Sequence, residues 1–378
     1  AFEVGANWIG DTDPSTADIA EFGAFPGSVD ITLGLNSFVA ALAITQQLPT
    51  FSLGSSTLAV SNNISTQNQG FRLTSGTLSA RFLDHQAATG LVEVSGPTAQ
   101  LVLGQGAFLL SDAPFNILAG GRVLGAGLET RGLTVPHVLR ISGAGSAWID
   151  PGSYRADLNI GRNGGTGELI VQAGGEFTVS SINNVFIGRG ANTSGYATAD
   201  GAGSRLNLGS ELQIGDEGSL GQLTLTNGGV ATCQWFGIGR FPGGGGSVSV
   251  NGVGSRLEST ITFFTNVIGG NSPARLDISD GGLVIAPLAN ISPLALVHGN
   301  ATLQSTLTNR GRIAPGPFAP GGANTLTIQG SLINMPTGAV EIDITRTNLD
   351  LTSDRLAVTG PATLRGELRF TQFGPGTP

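Results

Sequence analysis

The feature that most restricts what this chain can fold into is an internal repeat of about 54 residues. Three segments align without gaps: Gly167-Glu-Leu-Ile-Val-Gln-Ala-Gly-Gly175, Gly221-Gln-Leu-Thr-Leu-Thr-Asn-Gly-Gly229 and Ala274-Arg-Leu-Asp-Ile-Ser-Asp-Gly-Gly282. Each reads as a short strand closed by a Gly-Gly turn. A second module alternates with the first: Val138-Leu-Arg-Ile-Ser-Gly-Ala-Gly-Ser-Ala-Trp148, Tyr196-Ala-Thr-Ala-Asp-Gly-Ala-Gly-Ser-Arg-Leu206 and Ser247-Val-Ser-Val-Asn-Gly-Val-Gly-Ser-Arg-Leu257. An eroded copy lies at Leu91–Leu101. A third signal, an Ile-Gly pair at Ile160, Ile187, Ile214, Ile238 and Ile268, recurs at steps of 27, 27, 24 and 30 residues. The unit is therefore a two-rung repeat, with a single rung of about 27 residues.

Fixed-period self-similarity points to a structure that grows by stacking units rather than by enlarging one core. Apolar residues alternate with a period of two, and Gly, Thr, Ser and Val crowd every segment, which rejects a helix. A two-sheet sandwich has no reason to repeat its sequence every 54 residues. The expected fold is an all-β, right-handed parallel β-helix, a β-solenoid of about 14 rungs with two or three short strands in each, given stacking at about 4.8 Å. Leu169, Leu223 and Leu276 then occupy equivalent inward sites. The expected organisation is a capping segment and first rungs over 1–70, a repetitive solenoid over 71–311, and C-terminal rungs with a tail over 312–378.

Composition supports a folded rod. Charged residues make up only 12% of the 378, but hydrophobic residues reach 40%, enough to fold. Net charge is −8, and all 18 basic residues are arginine, without a basic patch of the kind a nucleic-acid binder carries. Cys233 is the single cysteine, which excludes an internal disulfide framework and reads as a small buried hydrophobe. No apolar run approaches the length of a membrane helix. The chain starts at Ala1 without Met, as after removal of an export signal.

The ends depart from the repeat. The N-terminal segment carries Asn7-Trp8, Pro14, Ala17-Asp18 and Glu21-Phe22, then alternating residues through Val29–Leu33 and Phe51-Ser-Leu53. Near the other end come Ile313-Ala-Pro-Gly316, Leu326–Gly330, Val340–Ile344 and Asp354-Arg-Leu-Ala-Val-Thr-Gly360. With the Ile-Gly and Gly-Gly modules, these segments resemble the passengers of autotransporter-like bacterial surface proteins over nearly the whole chain. The resemblance implies an exported protein at the cell surface or outside the cell, with Trp8 and Phe22 plugging the first rung. A membrane β-barrel follows such passengers and does not occur within these residues, which end at a Gly-Pro-rich tail. The resemblance therefore implies either a barrel removed from the passenger or a different route of export and anchoring.

Parallel β-helices include polysaccharide-cleaving enzymes, which use two carboxylates across one bond. The candidates by proximity are Asp150, Asp157, Asp200, Asp216-Glu217, Asp277-Asp280 and Glu341-Asp343. Asp277 and Asp280 vary between repeat copies, and Glu341 and Asp343 share one strand face, so both pairs read first as solvated decoration. His85, His137 and His298 lack the spacing of a metal site. Gly243 to Gly246 reads as a corner between rungs, because no helix and no Gly-Lys-Ser follow it. Arg162, Arg189 and Arg240 each follow an Ile-Gly pair, with Asp216 in the fourth copy. They form a sparse charged stripe, read as a solvated edge or as a surface for an acidic partner or acidic glycan. No catalytic, cofactor or metal residue is assigned.

Two classes of function remain. One is a non-enzymatic extracellular structural protein, either a self-associating filament subunit or an adhesive stalk; an adhesin that contacts glycans or cell surfaces differs only in its partner. The other is a polysaccharide-binding or polysaccharide-degrading enzyme with a groove along the rod.

Overall fold

The computed structural model describes residues 17–22, 30–45, 48–86, 90–110, 112–132, 134–152, 156–262, 264–316, 323–346 and 351–373. The calls on Asn7-Trp8, Pro14 and Val29 lie outside them. The described chain is all strand and forms a parallel β-solenoid of about 13 turns, close to the 14 rungs expected. A central turn has three strands. His137–Ser142, Ala147–Ile149 and Leu158–Arg162 pair in parallel with Thr166–Gln172, Glu176–Val179 and Val185–Arg189, their counterparts one turn later. These define a first, second and third face that extend along the rod.

The registers explain the repeat. On the first face, Leu139, Leu169, Ala197, Leu223, Val248 and Leu276 pair in succession and are all buried. Leu169, Leu223 and Leu276 are thus equivalent sites two turns apart, with Ala197 and Val248 of the second module between them. On the third face, Ile160, Ile187, Ile214, Ile238 and Ile268 form one column at single-turn spacing. Burying each such side chain is worth about 1.5–3 kcal/mol. An isolated turn has no neighbour to supply that burial, so stability is a property of the stack.

The two modules alternate because their turns interlock. In the first, Ala173, Asn227 and Asp280 take φ values of 52°, 54° and 53°, each followed by a left-handed glycine. The amide of Gly174 donates to Ser204 Oγ at 3.1 Å, and that hydroxyl donates to the Asp200 carbonyl at 2.7 Å. Gly120 and Gly228 donate in the same way to Ser146 and Ser255, so the serine of each second-module turn fastens the preceding first-module turn. Ser146, Ser204 and Ser255 are fully buried. Ala119-Gly-Gly121 is thereby a further first-module copy, one that sequence alignment alone passes over. At the Ile-Gly corner, a Cβ on Gly188 (φ +76°) would lie 2.3 Å from the Leu220 carbonyl oxygen. Glycine is required there by contact as well as by conformation.

Turns near the ends are built differently. Thr50–Val60 and Phe71–Ala80 run through the first and second faces as single strands. Leu283–Ile291 and Thr302–Asn309 run through the second and third. Ladders continue across residues 70/71 and 311/312. The interior is mainly apolar, with buried polar side chains set among the aliphatic columns. Thr66 and His85 meet at 2.6 Å, with the His137 ring 6.0 Å from His85. Burial, reinforced by His137, pushes His85 down to about 3, so it is a neutral core side chain. Asn309 donates to Asn334 Oδ1 at 2.7 Å in an internal ladder.

Candidate functional site

The third face is unusual in being covered on both sides. In its central strands the residue between the two inward positions points outward, yet Asn159, Phe186 and Gln213 are 2%, 7% and 1% exposed. The corner arginines provide the cover. Arg162 pairs with Glu129 at 2.8 Å, Arg189 with Asp157 at 2.8 Å and Arg240 with Glu211 at 2.9 Å, each reaching back to the preceding turn. Arg189 lies 4.0 Å over the Phe186 ring, and Arg240 lies 4.8 Å over Trp235. The expected arginine stripe is therefore a row of clamps between turns, charge-neutralised within the chain.

Asp216 breaks the row for a local reason. An arginine here would reach back to the turn where Asn184 stands one residue before Val185. Asp157 and Glu211 stand at the corresponding places beside Leu158 and Leu212, and Asn184 offers no carboxylate. Asp216 is 2% exposed, and its Oδ1 finds no hydrogen-bond partner among the described residues. Burial, then the nearby Glu217, pushes its carboxyl up to about 6 against the pull of Arg189.

Towards the N-terminal half the same face opens into a groove of about 600 Å³. Its outward column runs Asp84, Phe108, Glu129, Asn159 by strand register. Phe82 and Phe108 meet edge to face at 4.4 Å, and Phe108 is 44% exposed. Arg81 stands at the corner between the second and third faces and lines the groove. It is exposed and enters no ion pair among the described residues. Asn159 lies on the floor with its Oδ1 buried and without a hydrogen-bond partner among the described residues. A volume of this size suits a small or chain-like ligand.

The other sequence candidates are distributed as follows. Asp157 is in the groove, beside Glu129, which the repeat patterns did not single out. Asp150 is a buried corner clamp that accepts from the Gly152 and Ser180 amides and, at 2.6 Å, from Asn183 Nδ2. Asp200 accepts from Thr226 and Asn227. Asp280 accepts from Asn251 at 2.7 Å. Asp277 sits between Arg275 at 2.6 Å and His298 at 2.9 Å; burial opposes ionisation, but those two hydrogen bonds hold its carboxyl below the usual range. Glu341 and Asp343 come together with His298, Arg312 and Thr371 around a smaller cavity of about 170 Å³. The hydrogen bond from Arg312 holds Glu341 low, whereas burial and then Asp354 raise Asp343. Gly243 makes a left-handed corner, while Gly245 already opens the strand Gly245–Asn251.

Sequence reasoning missed Phe82, Phe108, Glu129 and Asn159. The usable signal was the residue two before each Ile-Gly glycine: Asn159, Phe186, Gln213 and Gly237 mark the outward column of the third face. Groups of three or more His, Cys, Asp or Glu arranged to hold a metal ion do not occur among the described residues. Among the described residues, no helix is long and apolar enough to cross a membrane. Comparison with protein-family models, with curated proteins and with solved structures finds no match, so the reading of the groove rests on its own geometry.

Proposed function

We propose that the chain is an extracellular structural β-solenoid of the adhesive-stalk kind, a stiff rod that carries a recognition groove on one side. The observation that carries this reading is the unbroken ladder. Parallel strand pairing continues turn upon turn, with buried serines and arginine–carboxylate clamps fastening the corners of successive turns. Such a body transmits position and resists bending. The carboxylates in the groove are committed to guanidinium groups, an arrangement suited to holding a surface rather than to cleaving a bond. The surface location draws its support from the resemblance at the two ends.

The test is display of the full chain on cells, followed by protease accessibility and attachment to glycan-coated surfaces. Retained attachment without release of reducing ends from the glycan supports the stalk. Reducing ends released in proportion to protein would replace it with the polysaccharide-cleaving reading.

Self-association has an observation of its own. In the final described turn, Leu364, Leu368 and Phe370 are 64%, 53% and 62% exposed, and they continue the columns of Asn334, Val340 and Ile342. This edge accepts one further layer of strands, supplied either by continuation of the chain or by a second copy. Sedimentation at rising concentration tests it. Growth of end-to-end species that Leu368→Glu abolishes supports a filament; a concentration-independent monomer removes that reading.

A further inference from the structure

We infer that the groove on the third face binds a segment of acidic glycan, a linear chain of uronate sugars, with Arg81 taking a ligand carboxylate. The inference rests on the adhesive reading above and gives its ligand a chemical class. Two independent features converge. Phe108 exposes part of its ring beside Phe82, a flat apolar face of the kind that packs on the C–H face of a pyranose. Among the described groove residues, Arg81 is an exposed cation that enters no ion pair, whereas Arg162 and Arg189 are already held by Glu129 and Asp157.

Other ligand classes fit less well. The groove floor is made of strands paired on both sides, so it has no free backbone edge to which an extended peptide could add. A nucleic-acid strand needs a continuous basic track, whereas among the described groove residues Arg162 and Arg189 are paired with carboxylates and the chain carries a net charge of −8. That overall charge also disfavours a densely sulfated chain relative to one with a single carboxylate per sugar. Successive turns are about 4.8 Å apart, comparable to the rise of one pyranose in an extended chain, so a glycan lying along the rod keeps step with the outward column.

The test uses the full chain and calorimetric titration with an oligogalacturonate, its carboxyl-reduced neutral counterpart and dextran sulfate. The expected result is saturable binding of the oligogalacturonate, at least tenfold weaker for the neutral chain and weakened by salt. Arg81→Gln and Phe108→Ala should each lower the affinity at least tenfold, while Arg140→Gln, on the first face, leaves it unchanged. Circular dichroism of each variant establishes folding. Asn159→Asp, which keeps size but adds a negative charge, should also weaken the uronate. Equal binding of the neutral chain, or insensitivity to Arg81→Gln in a folded variant, would overturn the acidic class. Preferential binding of dextran sulfate would place the ligand among sulfated rather than uronate chains and overturn the inference as stated. Attachment to cells that persists without oligogalacturonate binding would sink the inference and leave the stalk standing; loss of both would remove the two together.

Discussion

Replacing Asp216 with asparagine should stabilise the protein at neutral pH and leave it unchanged below pH 3.8, where folded and unfolded states both carry the proton. The carboxyl is 2% exposed, has an unpartnered oxygen among the described residues, and faces Glu217 and Glu211 as well as Arg189. Its proton is lost at about 6 in the folded chain, compared with 3.8 for an ordinary aspartate. Because the folded value is raised, the folded state binds the proton more tightly than the unfolded state. Stability from this group is complete below pH 3.8 and declines as the pH rises through about 6. The penalty at pH 7 is about 3 kcal/mol at most, from about 1.4 kcal/mol for each pH unit between the two values. Relaxation of the surrounding polar groups reduces it, so about 1–3 kcal/mol is expected. Asparagine keeps the shape and the backbone contacts, in which Ser219 Oγ accepts from the residue-216 amide and donates to its carbonyl. The assay is amide hydrogen exchange over 211–220, with urea midpoints, for both proteins at about pH 3, below the unfolded value, and at about pH 7.5, above the folded one. Slower exchange of Asp216→Asn at about pH 7.5, converging at about pH 3, is expected. An equal effect at both pH values would refute the reasoning, because it would make the change one of packing rather than ionisation.

Three further perturbations probe the architecture. Trp148 is fully buried between Phe115 and Phe177, with ring centroids 6.2 and 6.4 Å away, and Trp148→Ala should cost about 3–5 kcal/mol, read as a lower urea midpoint. Ser204→Ala leaves the Gly174 amide and the Asp200 carbonyl without their shared hydroxyl; it should cost about 1–3 kcal/mol and accelerate exchange at Gly174 above all. Burial pushes the Cys233 thiol well above its ordinary value, so iodoacetamide should label it only after denaturant is added. Rapid labelling of the native protein would show that this part of the core opens.

The parallel stack was legible in the sequence because a solenoid writes its geometry locally. A residue that returns to the same inward position each turn must be apolar, and a corner that passes close to its neighbour must be glycine. Hence Ile160, Ile187 and Ile214 with their glycines announced a column, and the modules around Leu169, Leu223 and Leu276 announced a two-turn period. The reason for that period was not legible. It lies in a contact between turns, from the Gly174 amide to the Ser204 hydroxyl, which no single segment contains.

The groove was largely hidden for the same reason. Phe82, Phe108, Glu129 and Asn159 come from four different turns and share no repeated motif; only stacking brings them to one face. The arginines illustrate the limit in the opposite direction. Their repetition at Arg162, Arg189 and Arg240 was plain, but their neutralisation by Glu129, Asp157 and Glu211 depended on reach between turns. The sequence by itself determined the period, the strand character and the corners, since those follow from side-chain alternation and steric demand along the chain. Only the tertiary structure decided which charges are cancelled and which, as at Arg81, enter no ion pair among the described residues, because Coulomb partners are set by distance in space.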